Sequence, residues 1–287
     1  VLAAPRLTFL GTGTSSGVPV IGCECQVCRS ADPRNRRLRT SGLLEFNDAI
    51  GHRRAILIDA GPDLRQQALR HGLTRCDAIL FTHGHVDHTW GLDEVRRFNA
   101  TMRAPIPIYA DRPTMEHLHA AYRHIFQRER NVNDSFVATL IPTLIDPQRP
   151  IEIFGVQVMP VPLLHGSLPV LGFRFDALDS TLKPAVCQHT PFPFAWCTDC
   201  NGIPPESWPL LTGLNTLVLD MLRYRRHPTH YSLDESLRVA EQVGAGQTWL
   251  VHMTHDIEHA DLEPRLPEGV HLAWDTAELP CSLGAAP

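Results

Sequence analysis

Four side chains that bind divalent metals well fall within the six residues His83-Gly84-His85-Val86-Asp87-His88. His83 and His85 are two apart, so on extended backbone both point the same way and can share one ion. Asp87 and His88 are adjacent and diverge as the chain turns, which suits a second ion beside the first. Two ions about 3.5 to 4 Å apart can hold a bridging hydroxide and stabilise both the attacking and the leaving oxygen, so hydrolysis is the natural chemistry. Four ligands cannot complete two such sites, and distant residues that follow strands must supply the rest. His165, Asp199 and His252 do so, after apolar runs at 160–164, 195–197 and 248–251. Asp59, also at a strand end, is a candidate to orient a ligand through a hydrogen bond.

A second constellation is Cys23-Glu24-Cys25-Gln26-Val27-Cys28, three of the eight cysteines in six residues. Neighbouring disulfides would have to leave in different directions, whereas thiolates at this spacing converge on one tetrahedral ion, so zinc is expected ahead of disulfides. The preceding loop, 11–17, has glycines for a tight turn. It is not a dinucleotide fingerprint, because the glycine spacing is off and a cysteine-rich loop follows where a helix would be needed. The basic run Arg34, Arg36, Arg37 and Arg39 reads as a solvated face or loop rather than a phosphate site.

The elements that must position these residues follow from pattern and punctuation. Strands are expected at 7–10, 42–46, 55–58, 78–81, 151–160, 171–175, 195–197, 216–219, 248–251 and 271–273. Helices are expected at 62–71, with Pro62 in its first turn and Gly72 as its stop, at 91–99, at 111–126 and at 233–243. The last has Ser232 as its cap and Glu235 three residues on. The polar, proline-interrupted stretch 127–150 reads as a long connection, and 111–150 as an insertion or lid in a single domain spanning 1–287. Strands early and late with helices between predict an α/β protein of two packed sheets covered by helices. Only the small-residue tail 282–287 is of low complexity.

With 43% hydrophobic and 20% charged residues, the chain can bury a large core. A formal charge of −5 argues against a general binder of long nucleic acid or of membrane surfaces, which usually carry a basic excess. No apolar run approaches the roughly 20 residues needed to cross a bilayer, so a soluble cytoplasmic protein is expected. Oligomeric state is left open, a homodimer included.

These residues carry a resemblance over nearly the whole chain. The His83 to His88 motif followed by Gly91, preceded by Ile58-Asp59-Ala60-Gly61 and followed by His165, Asp199 and His252, resembles the metallo-β-lactamase superfamily. The resemblance implies an αββα sandwich, two mixed sheets flanked by helices, with metals at one edge. Leu10-Gly11-Thr12-Gly13, Gly17-Val18-Pro19, the cysteine triplet and Phe46-Asn47-Asp48-Ala49 occur in the order found in a narrower group. That group includes the phosphoribosyl cyclic phosphate phosphodiesterase of the carbon-phosphorus lyase pathway.

By this likeness His83, His85 and His165 would hold one divalent metal, zinc or manganese, and Asp87, His88 and His252 the other, with Asp199 between them. Cys23, Cys25, Cys28 and His255 would hold a structural zinc, with Cys197 or Cys200 as rivals for its fourth position. Asp87 and His230 are the candidate catalytic residues, His230 as proton donor. The expected function is hydrolysis of a small phosphodiester, cyclic ones included. The alternatives are a thioester or RNA 3′-end hydrolase on the same metals, or a cofactor-biosynthesis protein. The last rests on the likeness of the cysteine loop and Gly61-Pro62-Asp63-Leu64-Arg65 to a protein of pyrroloquinoline quinone synthesis.

Overall fold

The computed structural model describes residues 5–132, 135–147, 149–178 and 190–280, and the tail 282–287 lies outside them. In chain order the strands are β1 (Arg6–Gly11), β2 (Ser41–Asn47), β3 (Arg53–Ile58), β4 (Ala78–Leu80), β5 (Ile106–Ala110), β6 (Leu140–Leu144) and β7 (Ile151–Ile153). They continue as β8 (Val156–His165), β9 (Leu168–Ala177), β10 (Phe194–Cys197), β11 (Thr216–Asp220), β12 (Gln247–Val251), β13 (Val270–Leu272) and β14 (Glu278–Leu279). The α-helices are α1 (Gln26–Arg29), α2 (Leu64–Arg70), α3 (Val86–Thr89), α4 (Arg96–Met102), α5 (Arg112–Ala121), α6 (Arg123–Phe126), α7 (Leu233–Val243) and α8 (His259–Leu262).

The strands form two seven-stranded sheets, ordered β14-β1-β2-β3-β4-β5-β6 and β13-β12-β11-β10-β9-β8-β7. Both are mixed: β3 to β6 run parallel in the first and β10 to β13 in the second, the other pairs being antiparallel. Strand alternation decides the layers. Phe9, Leu44, Phe46, Ile56 and Ile58 of the first sheet meet Phe173, Phe175, Phe194, Trp196 and Trp249 of the second in a core between them. Leu43, Leu57 and Ile79 point the other way, against Leu64, Phe98 and Leu118 of the helices. Leu217, Leu219 and Leu250 likewise pack towards Val239 of α7. The result is the αββα sandwich.

Helix α7 matches its expected bounds, with a reciprocal Ser232/Glu235 capping box and Gly244 left-handed at its end, φ 61°. Other elements differ from the sequence reading. Asp63 is the N-cap of α2, so Pro62 precedes the helix instead of opening it. The 91–99 segment is a 3-10 turn, Leu92–Val95, followed by α4. The helix expected over 111–126 breaks at Tyr122 into α5 and α6. The 127–150 connection contains β6, an edge strand whose residues are mostly exposed and include Pro142, so it shows no alternation to read. The expected 151–160 strand is cut by Phe154 and Gly155 at positive φ, 53° and 84°, and β8 runs on to His165.

The basic run is also corrected. Arg37 is 1% exposed, not solvated, and donates to the carbonyls of Thr254 at 3.0 Å and Ile257 at 2.8 Å. Burial lowers its guanidinium to about 10. Arg39 pairs with Asp63 at 2.9 Å.

Asp275 ties three separate segments to this framework. Its buried carboxylate accepts from the Thr12 N–H and hydroxyl at 3.0 and 2.9 Å, from the Leu38 N–H at 2.9 Å and from Arg70 at 3.1 Å. Burial raises its pKa to about 6 despite these donors. Asp275→Ala leaves them unpaired, and the expected loss of unfolding free energy in urea titration is about 3 kcal/mol. A loss below about 1 kcal/mol, the size of an average substitution, would show that water replaces the carboxylate freely.

Candidate metal centre

Strand ends on both sheets deliver the centre. Asp59 follows β3, the histidine motif follows β4, Asp199 follows β10, Asp220 ends β11 and His252 follows β12, while His165 is the last residue of β8. Asp59, Asp199 and His252 adopt left-handed backbone, φ 62°, 52° and 66°. Asp and His enter that region more readily than most residues, yet at a cost that persists only where surroundings enforce it. Asp87 and His88 stand on the single helical turn α3 rather than on a loop. That turn is docked on the Asp59 loop: the Ala60 N–H donates to the His88 carbonyl at 2.8 Å and the Gly91 N–H to the Ala60 carbonyl at 2.7 Å. A Cβ on Gly61 would lie 2.1 Å from the Asp87 carbonyl oxygen, so only glycine permits this approach.

The structure brings the expected ligand residues together. The ring centroid of His83 is 4.5 Å from that of His85 and 4.4 Å from that of His88, and His85 is 5.1 Å from His165. Asp199 Oδ1 is 3.2 Å from His88 Nε2, while its Oδ2 is 3.1 Å from His252 Nε2 and 4.0 Å from His83 Nε2. Asp87 Oδ2 is 3.4 Å from His88 Nε2 and 3.9 Å from His252 Nε2. The Nε2 atoms of His83, His88 and His252 are buried, and none makes a hydrogen bond. Buried polar atoms are rarely left so, and nitrogen lone pairs facing carboxylate oxygens around a common point fit a cation. Asp87, His88, Asp199 and His252 each offer an atom within 4.8 Å of the others.

The other ring nitrogens are used to aim these. His88 Nδ1 donates to Asp59 Oδ2 at 2.7 Å. Thr82 gives its hydroxyl proton to the same carboxylate at 2.8 Å and so accepts from His83 Nδ1 at 3.0 Å. One buried carboxylate therefore orients two histidines. His165 Nδ1 donates to the Thr229 carbonyl at 2.8 Å. His230 Nδ1 donates to Asp220 Oδ2 at 2.9 Å, and its ring stacks on His252 with centroids 4.6 Å apart. Asp220 is absent from the sequence reading. An apolar run ending in a carboxylate, as at Asp59, was the signal for it.

Negative charge dominates the cluster. Burial works against ionised Asp199 and Asp87, yet His252 and His88 hold both carboxyls well below the usual range. Burial also works against protonated His88 and His252, but Asp199 with Asp59 raises the first, and Asp199 with Asp87 brings the second up to about 10. Burial, then the charge of His88, pushes His83 down. The carboxylates thus demand positive charge, which protons or metal cations can supply.

Cys23, Cys25, Cys28 and His255 form a separate group. His255 Nδ1 lies 3.2, 3.4 and 3.5 Å from the three sulfurs. The edge of a tetrahedron with Zn–S of about 2.3 Å and Zn–N of about 2.0 Å is about 3.5 Å, so the four atoms fit such an ion. The Cys28 N–H, pointing at Cys25 Sγ from 3.4 Å, holds that thiol down at about 6. Cys197 and Cys200 are instead fully buried in the core behind the second sheet. Among the described residues no helix is long and apolar enough to cross a membrane.

Residues 54–253 match the family model described as a beta-lactamase superfamily domain. A crystal structure titled as a new diphosphatase from the PhnP family superposes with a TM-score of 0.82 at 38% identity, over 96% of each chain. Coenzyme PQQ synthesis protein B of Methylobacterium nodulans is 31% identical over 235 residues, 74% of this chain and 71% of that protein. The octanoyltransferase of Porphyromonas gingivalis is 33% identical over 280 residues, 95% of this chain, which spans only 51% of that protein. With its fold, the convergent His and Asp side chains and these matches, the chain belongs to the metallo-β-lactamase superfamily, on the branch of the PhnP family and coenzyme PQQ synthesis protein B.

Proposed function

We propose that the chain is a dinuclear metallohydrolase that cleaves a small phosphodiester, cyclic ones included, and is a soluble single domain that works in the cytoplasm. The observation that carries the reading is the set of buried, hydrogen-bond-free Nε2 atoms of His83, His88 and His252 gathered around Asp199. His83, His85 and His165 would hold one divalent cation and Asp87, His88 and His252 the other, with Asp199 contributing to both. Zinc or manganese suits this donor set. When bound, the cations supply Lewis acidity that activates water and offsets charge on phosphoryl oxygens.

The residues around them do the positioning. Asp59 fixes the His88 ring directly and the His83 ring through Thr82, and the Thr229 carbonyl fixes His165. His230 is the proton donor: its Nδ1 is engaged by Asp220, which leaves Nε2 to protonate the leaving oxygen. Cys23, Cys25, Cys28 and His255 hold a structural zinc that ties the N-terminal loop to the segment after β12. The diphosphatase name of the 38% identical relative supports phosphorus as the centre attacked. The octanoyltransferase relative motivates a thioester as the competing substrate.

Turnover is expected with adenosine 2′,3′-cyclic phosphate and a chromogenic aryl diester in the presence of manganese or zinc, and slower cleavage of an octanoyl thioester. No diester turnover with either metal, or faster thioester cleavage, defeats the reading. His230→Ala should lower kcat by about 100-fold with metal content unchanged, as loss of a general acid does; full activity would remove His230 from the mechanism. His255→Ala should cost about one tightly held zinc per chain by elemental analysis, consistent with a four-ligand site. Unaltered zinc content would return the fourth position to another residue.

A further inference from the structure

The rim of the metal centre carries apolar side chains that the reading above leaves unused. Val86 and Trp90 are 45% and 57% exposed. They lie four residues apart at α3, the turn that supplies Asp87 and His88, and the Trp90 N–H donates to the Val86 carbonyl at 3.0 Å. Their side chains therefore share one face. Leu168, 41% exposed, stands directly opposite His165 in the β8–β9 pair, so it is on the same face as that histidine. His85, itself exposed, has its ring 5.1 Å from that of His165 and thus bridges the two walls.

A single exposed apolar residue is ordinary, but three of them, each within a turn or a cross-strand pair of a candidate ligand, mark a surface that is covered in use. The turn is not free to fold them away. Tyr122 donates its hydroxyl to the Thr89 carbonyl at 3.0 Å, the Thr89 hydroxyl donates to the His85 carbonyl at 2.9 Å, and the Gly91 N–H holds the Ala60 carbonyl at 2.7 Å. The backbone that carries Trp90 is thereby fixed before binding, which lowers the ordering cost.

We propose that Trp90, with Val86 on its turn and Leu168 opposite His165, is a specificity-determining platform for a planar aromatic group, a nucleobase above all, on the phosphodiester. The proposal rests on the phosphodiesterase reading. An indole gains most from a flat partner, because stacking uses its whole face, whereas an alkyl chain would use chiefly Val86 and Leu168. Placement agrees: Trp90 follows Asp87 by three residues, about 4.5 Å along the turn, so these two side chains are neighbours on it.

The test compares adenosine 2′,3′-cyclic phosphate with glycerol cyclic phosphate on the metal-loaded full chain. The base-bearing diester should be preferred by about tenfold or more in kcat/KM, the size expected of one base stacked on an aromatic ring. Trp90→Ala should erase most of that preference, through KM rather than kcat, and Trp90→Phe should keep most of it. A preference ratio in Trp90→Ala within about twofold of the native one overturns the platform, as does a stronger preference for an octyl diester. If neither diester is hydrolysed, the hydrolase reading fails separately. AMP binding by calorimetry then decides the platform: about tenfold weaker binding to Trp90→Ala supports it, and equal affinities refute it.

Discussion

Buried negative charge is the constraint around which this molecule is arranged. Asp59, Asp199 and Asp220 are almost wholly excluded from solvent, and Asp87 is only slightly wetter. Carboxylates removed from water are tolerated only where cations or donors meet them. Here imidazoles do so, in two ways. Some donate through Nδ1 to a carboxylate, as His88 and His230 do, and are thereby fixed in one orientation. The Nε2 atoms of His83, His88 and His252 are left turned inward towards Asp199 without a hydrogen bond. A protein that stopped at protonated histidines would satisfy charge but waste that geometry.

The two-sheet architecture explains how so many polar groups reach one place. Parallel strands β3, β4 and β10 to β12 end at the same edge of the sandwich, so Asp59, the histidine motif, Asp199, Asp220 and His252 fall into a shared hollow. Left-handed backbone at Asp59, Asp199 and His252 turns each side chain into it at the moment the strand stops. The sheets themselves are joined by a dense aromatic and aliphatic core that includes Trp196 and Trp249. Rigidity behind the strand ends is what permits strain at them.

Much of this was legible in the residues. The histidine motif, the three distant candidate ligands and Asp59 each sit at the end of an apolar run that marks a strand, and the cysteine triplet is a short pattern with a chemical meaning of its own. Helix α7 was legible because its cap and its stop are local hydrogen-bond devices. Tertiary context hid the rest. In β6, Pro142 interrupts the run and the apolar Ile141 and Leu144 face solvent, so no buried alternation marks it. Arg37 looked like a surface cation until carbonyls from a segment more than two hundred residues later were seen to enclose it. Asp220 lies one residue beyond the apolar run 216–219, as the last residue of β11 itself.

The loop after β12 carries His252 and, three residues on, His255. Thr12 and Leu222 hold the backbone between them through the N–H groups of Met253 and Thr254, and Arg37 grips the Thr254 carbonyl. The two metal-type clusters are therefore mechanically one body although they share no ligand. A chelator that strips the more accessible thiol cluster would loosen a residue of the other without touching it. If both clusters hold ions as proposed, loss of activity on chelation would not by itself report which had left.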